Sequence, residues 1–336
     1  MAVIPVVQDD MNPKVNDNDR CPVCGAQASF SFRSRDLMFD KPEEYDYLSC
    51  PRCRSEFQSP LPGPSQIASF YPDSYDQYAP LGRLRPFSPA KTAVLKYHYG
   101  YTQLPASPAP YRLLSGVWAS FFYKDTLSYI ADGRVLDVGC GNGRYLRRMN
   151  SLGWQCEGVE FNATAVAVCR QAGLKVFHGE LKDARFGDAC FDLVTARQLI
   201  EHLPDPAGFV AEITRILKPG GRFVLITPNN LSWGKKLFGK RWFANEVPRH
   251  LVLFNAASLA MLVTPYGYRL VDRQTSSSPK MLLNSWDYLV GNRGRPSRKH
   301  KIKRLLARPV AFLAALFNKG DILYMVFEKN RDSSPP

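Results

Sequence analysis

The sequence predicts an α/β protein: a doubly wound, mostly parallel sheet preceded by a small cysteine-paired module. Three observations carry this. From Arg134 onward, short apolar strands alternate with helical stretches, which is the pattern of a parallel sheet covered on both faces. One strand, Val135-Leu136-Asp137-Val138, runs into a glycine turn, Gly139-Cys140-Gly141-Asn142-Gly143, and then into a helix. Near the start, Cys21-Pro-Val-Cys24 and Cys50-Pro-Arg-Cys53 stand 25 residues apart.

Composition sets the bounds. The chain has 336 residues, enough for about two domains, and an ordinary apolar fraction of 45%. The longest apolar run, residues 309–317, is far shorter than the roughly 18–20 residues a membrane span needs. Residues 1–20 lack the basic-then-apolar pattern of an export signal, so a cytoplasmic location is expected. The net charge is +14 and uneven: between Asp287 and Asp321 there are nine Lys or Arg and no acid. That block, centred on residues 293–308, reads as a solvated face or as a contact for anionic lipid, polysaccharide or RNA.

In chain order, residues 1–19 are polar and expected to be a disordered tail. Residues 20–58 read as the cysteine module. Two Cys-x-x-Cys knuckles can close on one tetrahedral zinc through Cys21, Cys24, Cys50 and Cys53, and four thiolates leave no open position, so the role is structural. A redox dithiol would instead show one such pair on a βαβ pattern. The segments between the knuckles, 28–32 and 45–48, are β-like and favour a zinc ribbon. Residues 59–110, rich in Pro, Tyr and Ser, read as a linker or a cap over a pocket. Residues 111–132 read as a helix leading into the sheet, and 111–330 as the main domain.

Within that domain strands are expected at 135–138, 155–159, 175–177, 191–195 and 222–226, with helices at 143–152, 163–172 and 207–217. Lys218-Pro219-Gly220-Gly221 reads as a helix stop, and Asn255 as the cap of a helix to about 264. Residues 268–272 and 322–328 read as the last two strands; 275–320 carry no clear order.

The glycine turn is a ligand-binding corner. A strand buried on both faces delivers it, and the next helix points free N–H groups into the same space. Its spacing, Gly-x-Gly-x-Gly, differs from the Gly-x-Gly-x-x-Gly of dinucleotide folds. Asp137 just ahead of it would repel a pyrophosphate and suit an ammonium or sulfonium group. Glu160, at the end of the second strand, can accept hydrogen bonds from both hydroxyls of a ribose.

The run from Leu136 to Gly143 resembles motif I of the class I S-adenosylmethionine (SAM) methyltransferases. Four further features fit: Glu160; Gly179-Glu180-Leu181; Glu201-His202-Leu203-Pro204-Asp205-Pro206, similar to the E-H-x-x-D-P motif of small-molecule members; and Leu217 to Gly221 with Thr227-Pro228-Asn229. The resemblance covers residues 130–274, extending to 329. It implies a Rossmann-like, seven-stranded sheet with an antiparallel last strand, and SAM as co-substrate. By position it implies Asp137, Gly139, Gly141 and Gly143 around the methionine and ribose, Glu160 on the ribose, Phe161 beside the adenine, Glu180 and Leu181 at the adenine edge, and Gln198 near the methionine.

Methyl transfer is an in-line displacement, and a base is needed only if the acceptor must lose a proton. His202 and His250 are the candidates. The basic, aromatic insertion 231–249 is expected to shape the acceptor pocket. A small-molecule acceptor (a sugar, a polysaccharide or lipid precursor, or a secondary metabolite) is the leading expectation. A zinc-ribbon RNA methyltransferase and a non-catalytic module that keeps the fold are the alternatives.

Overall fold

The computed structural model describes residues 19–71, 81–122, 127–291 and 301–331. The expected tail, the block at 292–300 and residues 72–80 of the Tyr-rich segment lie outside these.

The cysteine module is a meander of β1 (Ser29–Arg35), β2 (Glu44–Ser49) and β3 (Glu56–Ser59). Three helices follow: α1 (Pro64–Ser69), α2 (Pro89–His98) and α3 (Ala109–Phe122). The helix expected over 111–132 thus ends by Phe122, and residues 127–130 have no regular structure. The alternating part runs β4 (Arg134–Val138), α4 (Arg144–Asn150), β5 (Gln155–Glu160), α5 (Ala163–Gln171), β6 (Lys175–His178), β7 (Phe191–Arg197), α6 (Pro206–Ile216) and β8 (Leu217–Pro228). Then come α7 (Trp233–Phe238), a two-residue β9 (Val252–Leu253), α8 (Ala256–Val263), β10 (Tyr268–Ser276), α9 (Pro279–Leu289), α10 (Lys301–Leu316) and β11 (Ile322–Lys329).

Helix starts follow local chemistry. Asn162 accepts the Ala165 N–H at 3.0 Å, Asp205 accepts the Gly208 N–H at 2.9 Å ahead of Pro206, and Asn255 with Ser258 forms a reciprocal capping box. The Lys218-Pro-Gly-Gly stop is absorbed into β8. Pairing of β7 with β8 shifts register between Phe191↔Leu217 and Leu193↔Arg222, so these residues bulge out of the ladder before the strand resumes.

The main sheet has the order β6-β5-β4-β7-β8-β11-β10. Strands β4 to β8 are parallel, and β11, the last in the chain, lies antiparallel between β8 and β10. Strand order reverses at β4 and β7, and ligands of such sheets bind at the carboxyl ends of the strands at that point. The interior strands are mostly apolar: Val135, Leu136, Val194, Ala196, Phe223 and Leu225 are buried.

The cysteine module does not stand apart. Strand β9, more than 190 residues further along, adds antiparallel to β3 and makes the small sheet four-stranded. Cys21, Cys50 and Cys53 share one apolar core with Phe57, Leu251, Phe254 and the main sheet.

Candidate active site

The corner after β4 has the geometry its sequence requires. Gly139 (φ +70°) and Gly141 (φ +53°) occupy the left-handed region, where a side chain is strained. Gly139 also packs tightly: a Cβ there would meet Leu199 Cδ1 at 2.9 Å. A Cβ on Gly141 would meet nothing within 4 Å, so the loop opens at that residue. Gly143 is different. It opens α4, and a Cβ on it would strike Leu174 and the Cys169 sulfur, so its Cα faces packed side chains.

Two buried carboxylates flank the opening. Glu160 takes the Gly141 N–H on Oε2 at 2.8 Å and the Asn162 N–H on Oε1 at 2.9 Å. It thereby ties the end of β5 to the glycine loop, and each oxygen keeps a lone pair for a further donor. Burial raises its pKa, against those N–H groups, which favour the charged form. Asp137 accepts the Thr195 hydroxyl at 2.5 Å, and burial pushes its pKa up to about 6.

The remaining expected cofactor residues follow the carboxyl ends of β5, β6 and β7. Phe161 is 53% exposed, with its ring edge-on to Tyr71 at 5.9 Å. Glu180 is exposed and pairs with Lys182 at 3.0 Å. Leu181 is buried in the core, so its side chain packs and only its backbone faces outward chemistry. Gln198 follows β7 with φ +54°, its N–H held by the Ile226 carbonyl at 2.7 Å.

The other side of the site is assembled from distant pieces. The E-H pair forms a one-turn 3-10 helix, Ile200–His202, after β7. The insertion folds into α7 and short 3-10 turns, and brings Glu246, Arg249 and His250 back over that helix. His202 and His250 lie edge to face, ring centroids 4.7 Å apart. His202 Nδ1 is 2.9 Å from the Arg249 carbonyl and 2.8 Å from the Tyr71 hydroxyl. His250 Nδ1 donates to the Ala244 carbonyl at 2.9 Å. Burial, reinforced by His250, lowers the His202 pKa to about 3; burial lowers that of His250 too, so both rings are neutral near pH 7. Glu201 is fully buried, and burial raises its carboxyl to about 8.

The cysteine module is stitched to this side. Arg249, itself fully buried, pairs with Asp36 at 2.8 Å. The Tyr47 hydroxyl donates to the His250 carbonyl at 2.7 Å, and Asn255 Nδ2 donates to the Cys53 carbonyl at 3.1 Å. Lys235 pairs with Glu56 at 2.7 Å. Neither Asp36 nor Tyr47 carries a motif, and sequence reading missed both, along with Glu246 and Arg249. Tyr71 belonged to the Tyr cluster read as a cap, and it does touch both Phe161 and His202.

The four thiols converge: Cys21 Sγ is 3.5 Å from Cys53 Sγ, Cys24 Sγ is 3.4 Å from Cys50 Sγ, and all four lie within 4.8 Å of one another. A tetrahedral Zn–S₄ centre has sulfurs about 3.8 Å apart, so the set fits. The Val23 N–H reaches Cys21 Sγ at 3.4 Å and the Cys53 N–H reaches Cys50 Sγ at 3.5 Å, bonds that stabilise thiolate charge.

Comparison with known proteins agrees with this geometry. Residues 118–273 match the family model described as a methyltransferase domain. A "Probable S-adenosylmethionine-dependent methyltransferase" of Mycolicibacterium smegmatis is 34% identical over 149 residues, 44% of this chain and 56% of that protein. A ubiquinone biosynthesis O-methyltransferase of Thiobacillus denitrificans is 34% identical over 135 residues, 37% of this chain and 58% of that one. The chain spans a little over half the length of these curated relatives. A solved SAM-dependent methyltransferase of Archaeoglobus fulgidus is more distant, 18% identical with a TM-score of 0.44, covering 65% of this chain and 94% of its own.

The sheet and its glycine corner are those of a methyl-transfer enzyme domain. Residues 118–273 thus match a methyltransferase domain and are similar to SAM-dependent members, whose co-substrate is S-adenosylmethionine.

Proposed function

We propose that the protein transfers a methyl group from SAM to a hydroxyl of a small-molecule acceptor. The observation that carries this is the opening at Gly141, flanked by the buried carboxylates of Glu160 and Asp137. In this reading Glu160 holds the ribose hydroxyls with its spare lone pairs. Asp137, Gly139 and Gln198 lie along the methionine. Phe161 covers one face of the adenine, with Glu180 and the Leu181 backbone at its edge. Gly143 serves by letting α4 pack close behind the loop. Cys21, Cys24, Cys50 and Cys53 hold a structural zinc.

The acceptor oxygen attacks the sulfonium methyl carbon, the S–C bond breaks, and the sulfonium becomes the neutral thioether of S-adenosylhomocysteine. The hydroxyl proton passes to the unprotonated ring nitrogen of His202 or His250. Holding donor and acceptor in line supplies much of the rate, up to roughly 7–11 kcal/mol in favourable cases. His202 and His250, at the carboxyl end of β7, act on the acceptor hydroxyl. O-methylation is preferred because relatives named as ubiquinone biosynthesis O-methyltransferases match over 129 and 135 residues. The test is incubation with methyl-labelled SAM followed by separation of metabolite, glycan, lipid and RNA fractions. Label in the small-molecule or lipid fraction is expected. Label in RNA would favour the zinc-ribbon RNA methyltransferase, and no thermal shift with SAM would favour a non-catalytic module.

We also propose that α10 contacts an anionic lipid surface. Among the described residues no helix is long and apolar enough to cross a membrane. Yet α10 buries its small residues, Ala311 and Ala314, and turns Leu305, Leu306, Phe312, Leu313 and Leu316 outward, Leu306 being 71% exposed. Lys303 and Arg308 share the helix, and Arg293, Arg295, Arg298 and Lys299 precede it outside the described residues. Apolar anchors beside a basic run suit an anionic bilayer. Co-sedimentation with phosphatidylglycerol vesicles, weakened by salt and by Leu306→Glu, is expected; equal recovery with phosphatidylcholine vesicles would refute it.

A further inference from the structure

A second cluster, separate from the four cysteines, has the donor pattern of a metal site. Glu201 is 0% exposed. Its Oε2 accepts the Thr227 hydroxyl at 2.9 Å, while Oε1 has no hydrogen-bond partner among the described residues. An unpartnered carboxylate oxygen in the interior is costly.

His250 presents a lone pair toward that oxygen. A carbonyl only accepts, so the His250 nitrogen on the Ala244 carbonyl, Nδ1, carries the proton, and in the neutral ring Nε2 carries the lone pair. That Nε2 lies 4.0 Å from Glu201 Oε1 and 3.6 Å from Glu246 Oε2. The same reasoning puts the proton of His202 on Nδ1, against the Arg249 carbonyl, and leaves its Nε2 as a donor of electrons. One ligand atom from each of Glu201, His202 and His250 lies within 4.8 Å of the other two. Imidazoles that bind metals almost always give their other N–H to a carbonyl or carboxylate, which fixes the tautomer. Both rings here do so. A carboxylate and two imidazoles thus bring ligand atoms within 4.8 Å of one another, near enough for one cation to reach all three.

We propose that Glu201, His202 and His250 form a binding site for a divalent first-row transition metal ion. Two imidazoles and one carboxylate suit zinc, iron or manganese and leave coordination positions open. Together with the O-methylation reading, on which this last step rests, an acceptor oxygen would take one open position, and its hydroxyl would lose its proton more readily there. His202 and His250 would then act on the acceptor as metal ligands and not as free bases.

The test is titration of Mn²⁺, a poor partner for thiolates, into the full-length protein holding one zinc per chain, followed by loss of the free Mn²⁺ electron paramagnetic resonance signal. One Mn²⁺ per chain is expected, weakened at least about tenfold by Glu201→Gln, which preserves shape. His202→Gln, at a half-buried position, gives the same readout should the first variant fold poorly. SAM affinity, measured calorimetrically on the same samples, reports an intact cofactor corner. Protein that binds SAM but takes up no Mn²⁺, or takes it up equally in both variants, overturns the metal site. Protein that binds Mn²⁺ but not SAM would overturn the methyl-transfer reading and leave the metal site standing.

Discussion

The two halves of the site are built in different ways. The cofactor half comes from one stretch, residues 137–198, in which each strand end delivers its group at the same edge of the sheet. Its key contacts are between a carboxylate and nearby backbone, as between Glu160 and Gly141. The proposed acceptor half joins Asp36, Tyr47, Tyr71, Glu201, His202 and the 244–250 segment, and its side-chain contacts reach side chains and carbonyls up to 213 positions away. The first half is specified by local backbone geometry. The second depends on a buried ion pair and on the docking of the cysteine module, so the two should fail separately.

The sharpest way to separate them is Arg249→Ala. It strands Asp36, buried and charged, without its partner. Removing one member of such a pair costs about 3–5 kcal/mol. Denaturant unfolding should show a loss of this size, while the remaining folded protein binds SAM with little change. A parallel collapse of SAM affinity would mean that the halves are one cooperative unit.

Glu160→Ala attacks the other half. It removes the acceptor of the Gly141 and Asn162 N–H groups and, on our reading, of the ribose hydroxyls. A charged hydrogen bond is worth about 1.5–3 kcal/mol, so SAM affinity should fall on the order of 10–100-fold by calorimetry. Mn²⁺ uptake at Glu201 should persist.

The smallest effect is that of pH on Asp137. Its folded pKa, about 6, lies above the ordinary value of 3.8. For the free protein this group therefore contributes stability at low pH that is lost as pH rises through about 6. Cofactor binding has the opposite sign, because a cationic donor needs the carboxylate. SAM affinity should weaken about tenfold from pH 7 to pH 5. A flat profile over that range would remove Asp137 from the cofactor contacts.

Much of the cofactor half was legible in the sequence. Positive φ at Gly139 and Gly141 follows from the residue type, and Glu160 falls at the end of a strand whose length can be counted. Spacing alone does not show that a Cβ on Gly143 would strike Leu174 and the Cys169 sulfur. Sequence reading ran the helix through 127–130, where the apolar Leu127, Tyr129 and Ile130 lie in a stretch without regular structure. In the acceptor half, His202 and His250 were visible as candidates, but their roles were not.

By itself, then, the sequence determined what depends on near neighbours: the alternation that makes a parallel sheet, the glycine turn, the caps at Asn162, Asp205 and Asn255, and the cysteine spacing. Only the tertiary structure decided that β9 completes the small sheet, that Arg249 buries itself on Asp36, and that Glu201, His202 and His250 bring ligand atoms within 4.8 Å of one another. The physical reason is range. A turn or a cap is fixed by the torsions of a few residues, whereas a site assembled from distant segments exists only once packing has set their relative positions.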